Sequence, residues 1–422
     1  MMGMAHFIVL IEGNMKKIIP ARLLLIVFIL GPLFGQWEPD QRLTFSSGNS
    51  IATPCNGRSV DVSGDTVHVV WMDNRETANS YEIYYKRSTD GGETWGQDTR
   101  LTTDPADSHQ PSVAVKGSYV HIVWMDDRDG NFSIYYKRST DGGETWGPDM
   151  PLTNSSIPSL KMNPSIVVSD SIVHVVWEEG YWHYNYEIYY KRSTNNGTIW
   201  GDVVRLVYAP GSSTWASIAV WGSNVHIVWL DDRYGNPDLY YKCSTDGGET
   251  WRPEYRLTYS AVLMGTEYAS IAVSGSTIHV VWNDFRLGND EIYYKRSTDN
   301  GITWGPDIRL TYNNPLSSFM PSICASGSNV HIVWWQFKYS LDINYEIYYK
   351  RSTDGGETWG QDTRLTNALY TSEFPTVAVS GQKVHVVWDD DRDGGMEIYY
   401  KHNPTANPLK SPGFKSQSIR SQ

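Results

Sequence analysis

An Asp-x-Arg pair recurs five times along the chain, as Asp73/Arg75, Asp126/Arg128, Asp231/Arg233, Asp284/Arg286 and Asp390/Arg392. A guanidinium presents a planar fork that grips a carboxylate or sulfate through two hydrogen bonds, so arginines gathered at one mouth would clamp an anion. A feature repeated five times also reads as architecture, each Asp and Arg fixing its own turn, and that reading is preferred. Where the pattern breaks, different chemistry comes into view. The segment from Glu178 and Glu179 through Tyr181 and Trp182 to Asn185 replaces the third pair, and Trp215 lies in the connection that follows it. Trp335 opens the segment that replaces the sixth, ending at Tyr339. Aromatic faces stack on sugar rings, and carboxylates accept hydrogen bonds from hydroxyls. Two carboxylates are also the minimum for glycoside hydrolysis. Glu178 and Glu179 are adjacent, however, and adjacent strand residues point to opposite faces, so they make a poor catalytic pair by themselves. As plain packing, the same segment is a longer loop laid over its neighbour by aromatics.

Metal chemistry finds little support. Seven histidines, His68, His121, His174, His226, His279, His331 and His385, follow one another at intervals of 52–54 residues. Equivalent points of seven repeated units cannot converge on one ion, so these histidines read as structural. Asp389, Asp391 and Asp393, with Gly394, resemble the first half of a calcium loop, but the twelfth position is Tyr400 instead of Glu, which leaves calcium a minority reading. Cys55, Cys243 and Cys324 are too few and too scattered for a disulfide framework or a metal site. No cofactor is expected.

The elements that must carry these residues are set by a repeat. Each histidine sits in a Val/Ile-His-Val/Ile-Val-Trp segment, followed by one like Glu-Ile-Tyr-Tyr-Lys-Arg-Ser and then by Trp-Gly-x-Asp-x-Arg-Leu-Thr or a variant. A short stretch such as Pro111–Val115 precedes each histidine segment. Every unit therefore predicts four short strands parted by Gly, Asp, Asn and Ser turns. The middle two are apolar or aromatic on both alternating faces, which suits sheets packed on both sides, as in a ring of blades and unlike a sandwich. The chain is expected to be all-β, a seven-bladed β-propeller of four-stranded blades over residues 36–402. The seventh unit lacks its last strand, and Trp37–Thr44 supplies the missing sequence, so the last blade is closed by the N-terminal strand.

The ends and the charge bear on location. Lys16, Lys17 and Arg22 precede an eleven-residue apolar run, Leu23–Leu33, with Gly35 a small residue before Gln36. That is the pattern of a signal peptide over residues 1–35, with Met15 an alternative start, and the run is too short to span a bilayer. The mature chain is expected to be secreted, extracellular or in the cell envelope, with no integral membrane segment. Residues 403–422 hold no acid and no pattern and read as a flexible tail. The net charge of −12 disfavours nucleic acid as a partner.

Between the third and fourth strands of a unit lies Ser88–Trp95, with full copies from Ser139, Ser244 and Ser352 and a fitting one from Ser297. The copy from Ser193 departs, with Asn195 for Asp and Ile199 for Thr. The form Ser-x-Asp-x-Gly-x-Thr-Trp resembles the Asp-box, or BNR repeat, of sialidases and related propellers. The resemblance implies a structural role for Asp90, Asp141, Asp246, Asp299 and Asp354, away from any active face. It also implies, for a catalytic member, an arginine triad, a Tyr nucleophile with a Glu partner and an Asp acid/base on six blades. The Phe/Tyr-Arg-Ile-Pro stretch that usually carries the first arginine is absent, and seven units are present. The expectation is a propeller that binds glycans or cell-surface polymers or serves as an interaction scaffold. A sialidase-like exo-glycosidase is the alternative, with the five Asp-x-Arg arginines as its triad pool.

Overall fold

The computed structural model describes residues 36–53, 57–77, 80–154, 158–181, 184–259, 265–312, 316–339 and 343–405. The expected signal peptide, Cys55, Trp182 and residues 406–422 lie outside them. Seven antiparallel sheets follow one another with no helix among the described residues, giving the seven-bladed propeller. Blade 2 illustrates the unit: Ser108–Lys116 innermost, then Tyr119–Asp126, Ser133–Ser139 and, outermost, Met150–Pro151. Blade 3 runs through Leu160–Ser169, Ile172–Tyr181, Tyr184–Ser193 and Val204–Arg205. Blade 1 differs in that its innermost edge is split between Ser50–Ile51 and Val60–Ser63.

Packing between blades explains why the repeat is so regular. The Trp that ends each second strand, from Trp71 to Trp388, is fully or almost fully buried between sheets. Each strand histidine meets the second tyrosine of its blade's third strand, Nδ1 to hydroxyl at 2.7 Å, as in His68–Tyr85 and His385–Tyr400. Burial holds these imidazoles neutral, pulling His68, His121 and His174 down to about 3. The same tyrosine reaches the next blade. The box tryptophan of that blade packs edge-on against it, as Trp146 does on Tyr85 at 4.9 Å. The second box glycine has no room for a side chain there: a Cβ on Gly143 would stand 2.0 Å from the Tyr85 hydroxyl. Asp90 closes its turn by accepting from the Thr94 N–H at 2.9 Å and from the Ser88 hydroxyl at 2.7 Å. Asn195 does the same work in the divergent box, accepting from the Ile199 N–H at 2.8 Å.

Closure of the ring is as the sequence implied. Gln41 and Arg42 pair antiparallel with Tyr400 and Tyr399, and Leu43 is buried. Trp37 takes the seventh box-tryptophan position, edge-on to Tyr349 at 4.9 Å. The last strand, Glu397–Asn403, extends one residue into the segment read as tail. Each inner strand of blades 2–7 carries a bulge at one end, where a non-glycine residue takes positive φ: Gln110, Asn163, Trp215, Tyr268, Met320 and Phe374, at 46–55°. At these bulges a backbone N–H can turn toward the preceding blade. Along the axis, all seven inner strands line a cavity of about 400 Å³ walled mostly by Val and Ala, with Arg58, Asp61 and Lys116 on its lining.

Candidate functional site

The five Asp-x-Arg arginines are each consumed within their own blade. Every guanidinium pairs with its own Asp at 2.5–2.6 Å. Each also reaches an acid beside the outermost strand: Asp98, Asp149, Glu254, Asp307 and Asp40 in turn. Each lies over the first tyrosine of the third strand, 4.2–4.4 Å from the ring centroid: Tyr84, Tyr135, Tyr240, Tyr293 and Tyr399. Under these lids the tyrosines are only 3–5% exposed. Arg75, Arg128, Arg233, Arg286 and Arg392 are thus turn fasteners with both carboxylate partners supplied internally.

Blade 3 lacks the whole device. Glu179 stands where five blades have the Asp, Tyr181 where they have the Arg, and Val203 where all six other blades have the outer acid; blade 6 has Gln336 and Lys338 at the first two positions. The first tyrosine, Tyr189, keeps its place against Trp177 but is only half-buried, because no guanidinium covers it. The vacated space is a groove of about 580 Å³ lined by Tyr189, Tyr181, Glu179, Glu187, Asn185, Lys161, Arg205 and Val203, among others. Glu179 accepts from the Ser159 hydroxyl at 2.6 Å and lies 4.0 Å from the Lys161 ammonium. Lys161 is almost wholly buried, and desolvation lowers its pKa despite that carboxylate. Glu187 binds Arg205 at 2.6 Å, yet one of its oxygens is buried without a partner and burial raises its pKa.

The residues singled out by sequence separate accordingly. Glu179 and Tyr181 line the groove, while Glu178 points away from it. Its carboxylate is buried, accepting from the Asn163 amide at 2.5 Å and from the Trp215 N–H of blade 4 at 2.7 Å. Desolvation pushes it up to about 7. Asn283 and Asp389 occupy the same position in blades 5 and 7 and likewise accept a backbone N–H from the next blade, that of Met320 and of Ala52. Glu178 is therefore an inter-blade acceptor. Trp215 packs edge-on to Tyr268 at 5.4 Å and rests on the core between blades 4 and 5. Trp335 packs among Phe319, Tyr345 and Phe374. The carboxylates of the calcium-like segment serve separate partners: Asp389 the Ala52 N–H, Asp391 the Thr371 N–H, and Asp393 the Tyr399 hydroxyl and Arg42. Among the described residues no group of three or more His, Cys, Asp or Glu could hold a metal ion.

Tyr189, Lys161, Glu187 and Arg205 escaped the sequence reading, since all but Lys161 belong to repeated motifs. Val203 was the available signal, being the one non-acid among the outer acid positions.

Comparison with known proteins agrees with this architecture. The BNR/Asp-box repeat model matches residues 242–253, the box of blade 4 with its preceding strand end. The xyloglucanase Xgh74A of Acetivibrio thermocellus is 26% identical over 192 residues, which is 39% of this chain and 22% of that enzyme. The chain therefore spans under a quarter of the length of the curated relative it matches. Among solved structures, a PL25 ulvan lyase superposes with a TM-score of 0.56 at 12% identity, covering 85% of this chain and 95% of its own. The phage phi92 endosialidase gives 0.51 at 11% identity, covering 91% and 72%. One box of this chain thus matches the BNR/Asp-box repeat model, and the likeness to these solved structures is one of fold.

Proposed function

We propose that this is an exported propeller that binds an uncharged sugar in the blade 3 groove without transforming it. The observation that carries the reading is the uncovered face of Tyr189. In five blades the corresponding ring is capped by a guanidinium, and in blade 3 the cap, its Asp and the outer acid are all replaced. An open aromatic face beside Glu179 and Asn185 offers a ring a stacking surface and its hydroxyls hydrogen-bonding partners. An uncharged ligand is favoured because the groove's cations are already engaged, Arg205 by Glu187 and Lys161 by backbone carbonyls and Glu179. The named activities of the xyloglucanase, the ulvan lyase and the endosialidase support a glycan as the ligand class. Export rests on the signal-like segment, and no helix among the described residues is long and apolar enough to cross a membrane.

Calorimetry with a panel of neutral oligosaccharides tests this reading. Tyr189→Ala is expected to weaken binding about tenfold, the worth of one good stacking contact. Tyr181→Arg with Val203→Asp would rebuild the lid and is expected to abolish binding without loss of stability. Binding that survives the rebuilt lid would place the ligand elsewhere. The sialidase-like alternative is tested by turnover of a fluorogenic sialoside. The internal pairing of all five arginines disfavours it, since a sialoside carboxylate needs an unpaired cation.

A further inference from the structure

Three tyrosines stand fully in the open on consecutive blades: Tyr208 of blade 3, Tyr259 of blade 4 and Tyr312 of blade 5, at 76%, 73% and 71% exposure. They occupy one repeated position, just past the outermost strand, on the side of the molecule where the groove opens. At that position blades 1, 2 and 6 carry Thr103, Asn154 and Asn367, and blade 7 carries Phe45, over Arg42 at 4.6 Å but parted from the row by blade 6. Each tyrosine lies over the arginine of its own outer strand, Arg205, Arg256 and Arg309, at 4.4–4.8 Å. That arginine is in turn anchored to Glu187, Asp238 or Glu291. One face of every ring is thus held by a fixed cation while the other faces water, which orders the platform before any ligand arrives. Arg205 belongs to both the groove lining and the first platform, so row and groove are continuous.

We infer that this row is an extended subsite for a linear polysaccharide, whose chain leaves the groove at Tyr208 and passes over Tyr259 and Tyr312. The inference rests on the groove reading and adds that the ligand is a chain bound along its length. A protein partner fits the row poorly. Protein interfaces have a contiguous apolar centre, whereas these three rings stand on separate blades, each over an ion pair of its own blade. A polymer of repeating pyranose faces can meet separated platforms, and each added contact raises affinity through effective concentration. An uncharged chain is again indicated, because each arginine beneath a platform already has its carboxylate.

The test uses the full chain with cellobiose and cellohexaose, followed by the corresponding pair for any other neutral glycan that the groove accepts. The hexasaccharide is expected to bind at least about tenfold more tightly than the disaccharide, two further stacking contacts being worth that much. In Tyr259→Ala/Tyr312→Ala the gain should fall to about twofold or less, with disaccharide affinity unchanged. Both substitutions are at exposed positions, and an unchanged melting temperature confirms the fold. Equal affinity for short and long chains, or a gain that survives the double variant, overturns the extended subsite and leaves the groove intact. Absence of binding by any disaccharide or hexasaccharide overturns the groove reading and this one with it.

Discussion

Burial takes the Glu178 carboxyl out of water and leaves it two hydrogen bonds, from Asn163 and from the Trp215 backbone, which do not offset the lost hydration. Its pKa rises from 4.5 to about 7, and the sign of the consequence follows. Below the unfolded value the group is protonated in both states and exacts no penalty. As pH rises through the interval, the unfolded chain releases its proton while the folded chain keeps it, so stability falls, by about 3 kcal/mol in all. Above about 7 the full cost remains. Glu178→Gln keeps an acceptor for the Trp215 N–H and removes the charge. The variant is expected to match the parent near pH 4 and to melt at a higher temperature than the parent at pH 8. Melting curves recorded across that range check it, and parallel curves would mean that Glu178 does not titrate there. Its sequence neighbour Glu179 lies on the opposite face, in the groove, for no other reason than strand alternation.

At the scale of the element, the Asp-box is a turn that fastens two blades. Its second glycine sits at positive φ with the preceding blade's tyrosine hydroxyl against it, and the box tryptophan closes on the same ring. Gly248→Ala puts a methyl 2.0 Å from the Tyr190 hydroxyl, whereas Gly222→Ala, in a hairpin at positive φ, meets nothing within 4 Å. The second should cost about 1 kcal/mol from backbone strain alone, and the first about 2 kcal/mol more from overpacking. Urea denaturation of the two variants separates these contributions. Equal midpoints would show that the inter-blade contact yields freely. The box was legible in sequence because its chemistry is local, with Ser88, Asp90 and Thr94 bonding one another. The partner tyrosine was not, because it belongs to a different unit 61 residues away, as Tyr190 does for Trp251.

For the whole molecule, stability depends on a strand supplied from the far end of the chain. The N-terminal segment buries Leu43, pairs Arg42 with Glu397, and gives both Arg392 and Lys401 their partner in Asp40. A chain beginning at Phe45 would leave Glu397 and Lys401 without their ion-pair partners, and Arg392 with Asp390 alone, at an open edge. It is expected to lose more than about 3 kcal/mol, and those amides of Glu397–Asn403 that face the missing strand, not the ones bonded to Lys383–Asp390, should exchange freely with solvent. A peptide spanning residues 36–46 added in trans should restore protection, and exchange that is unaffected by the truncation would show that the ring closes without the strand.

The sequence by itself determined the repeat, the number of blades, the strand order and the closing strand. Each of those follows from periodic burial and turn chemistry carried by the units in order, from the His68 segment to the His385 segment. It also identified blades 3 and 6 as the units where the pattern fails. Only the tertiary structure decided what that failure means. The fate of an arginine depends on the acid and the ring it meets across its own sheet, and the openness of Tyr189 depends on a guanidinium that is missing. The same physics assigned Trp215 and Trp335 to packing and Glu178 to a backbone N–H of the next blade, because side-chain surroundings are set by contacts between strands distant in the chain.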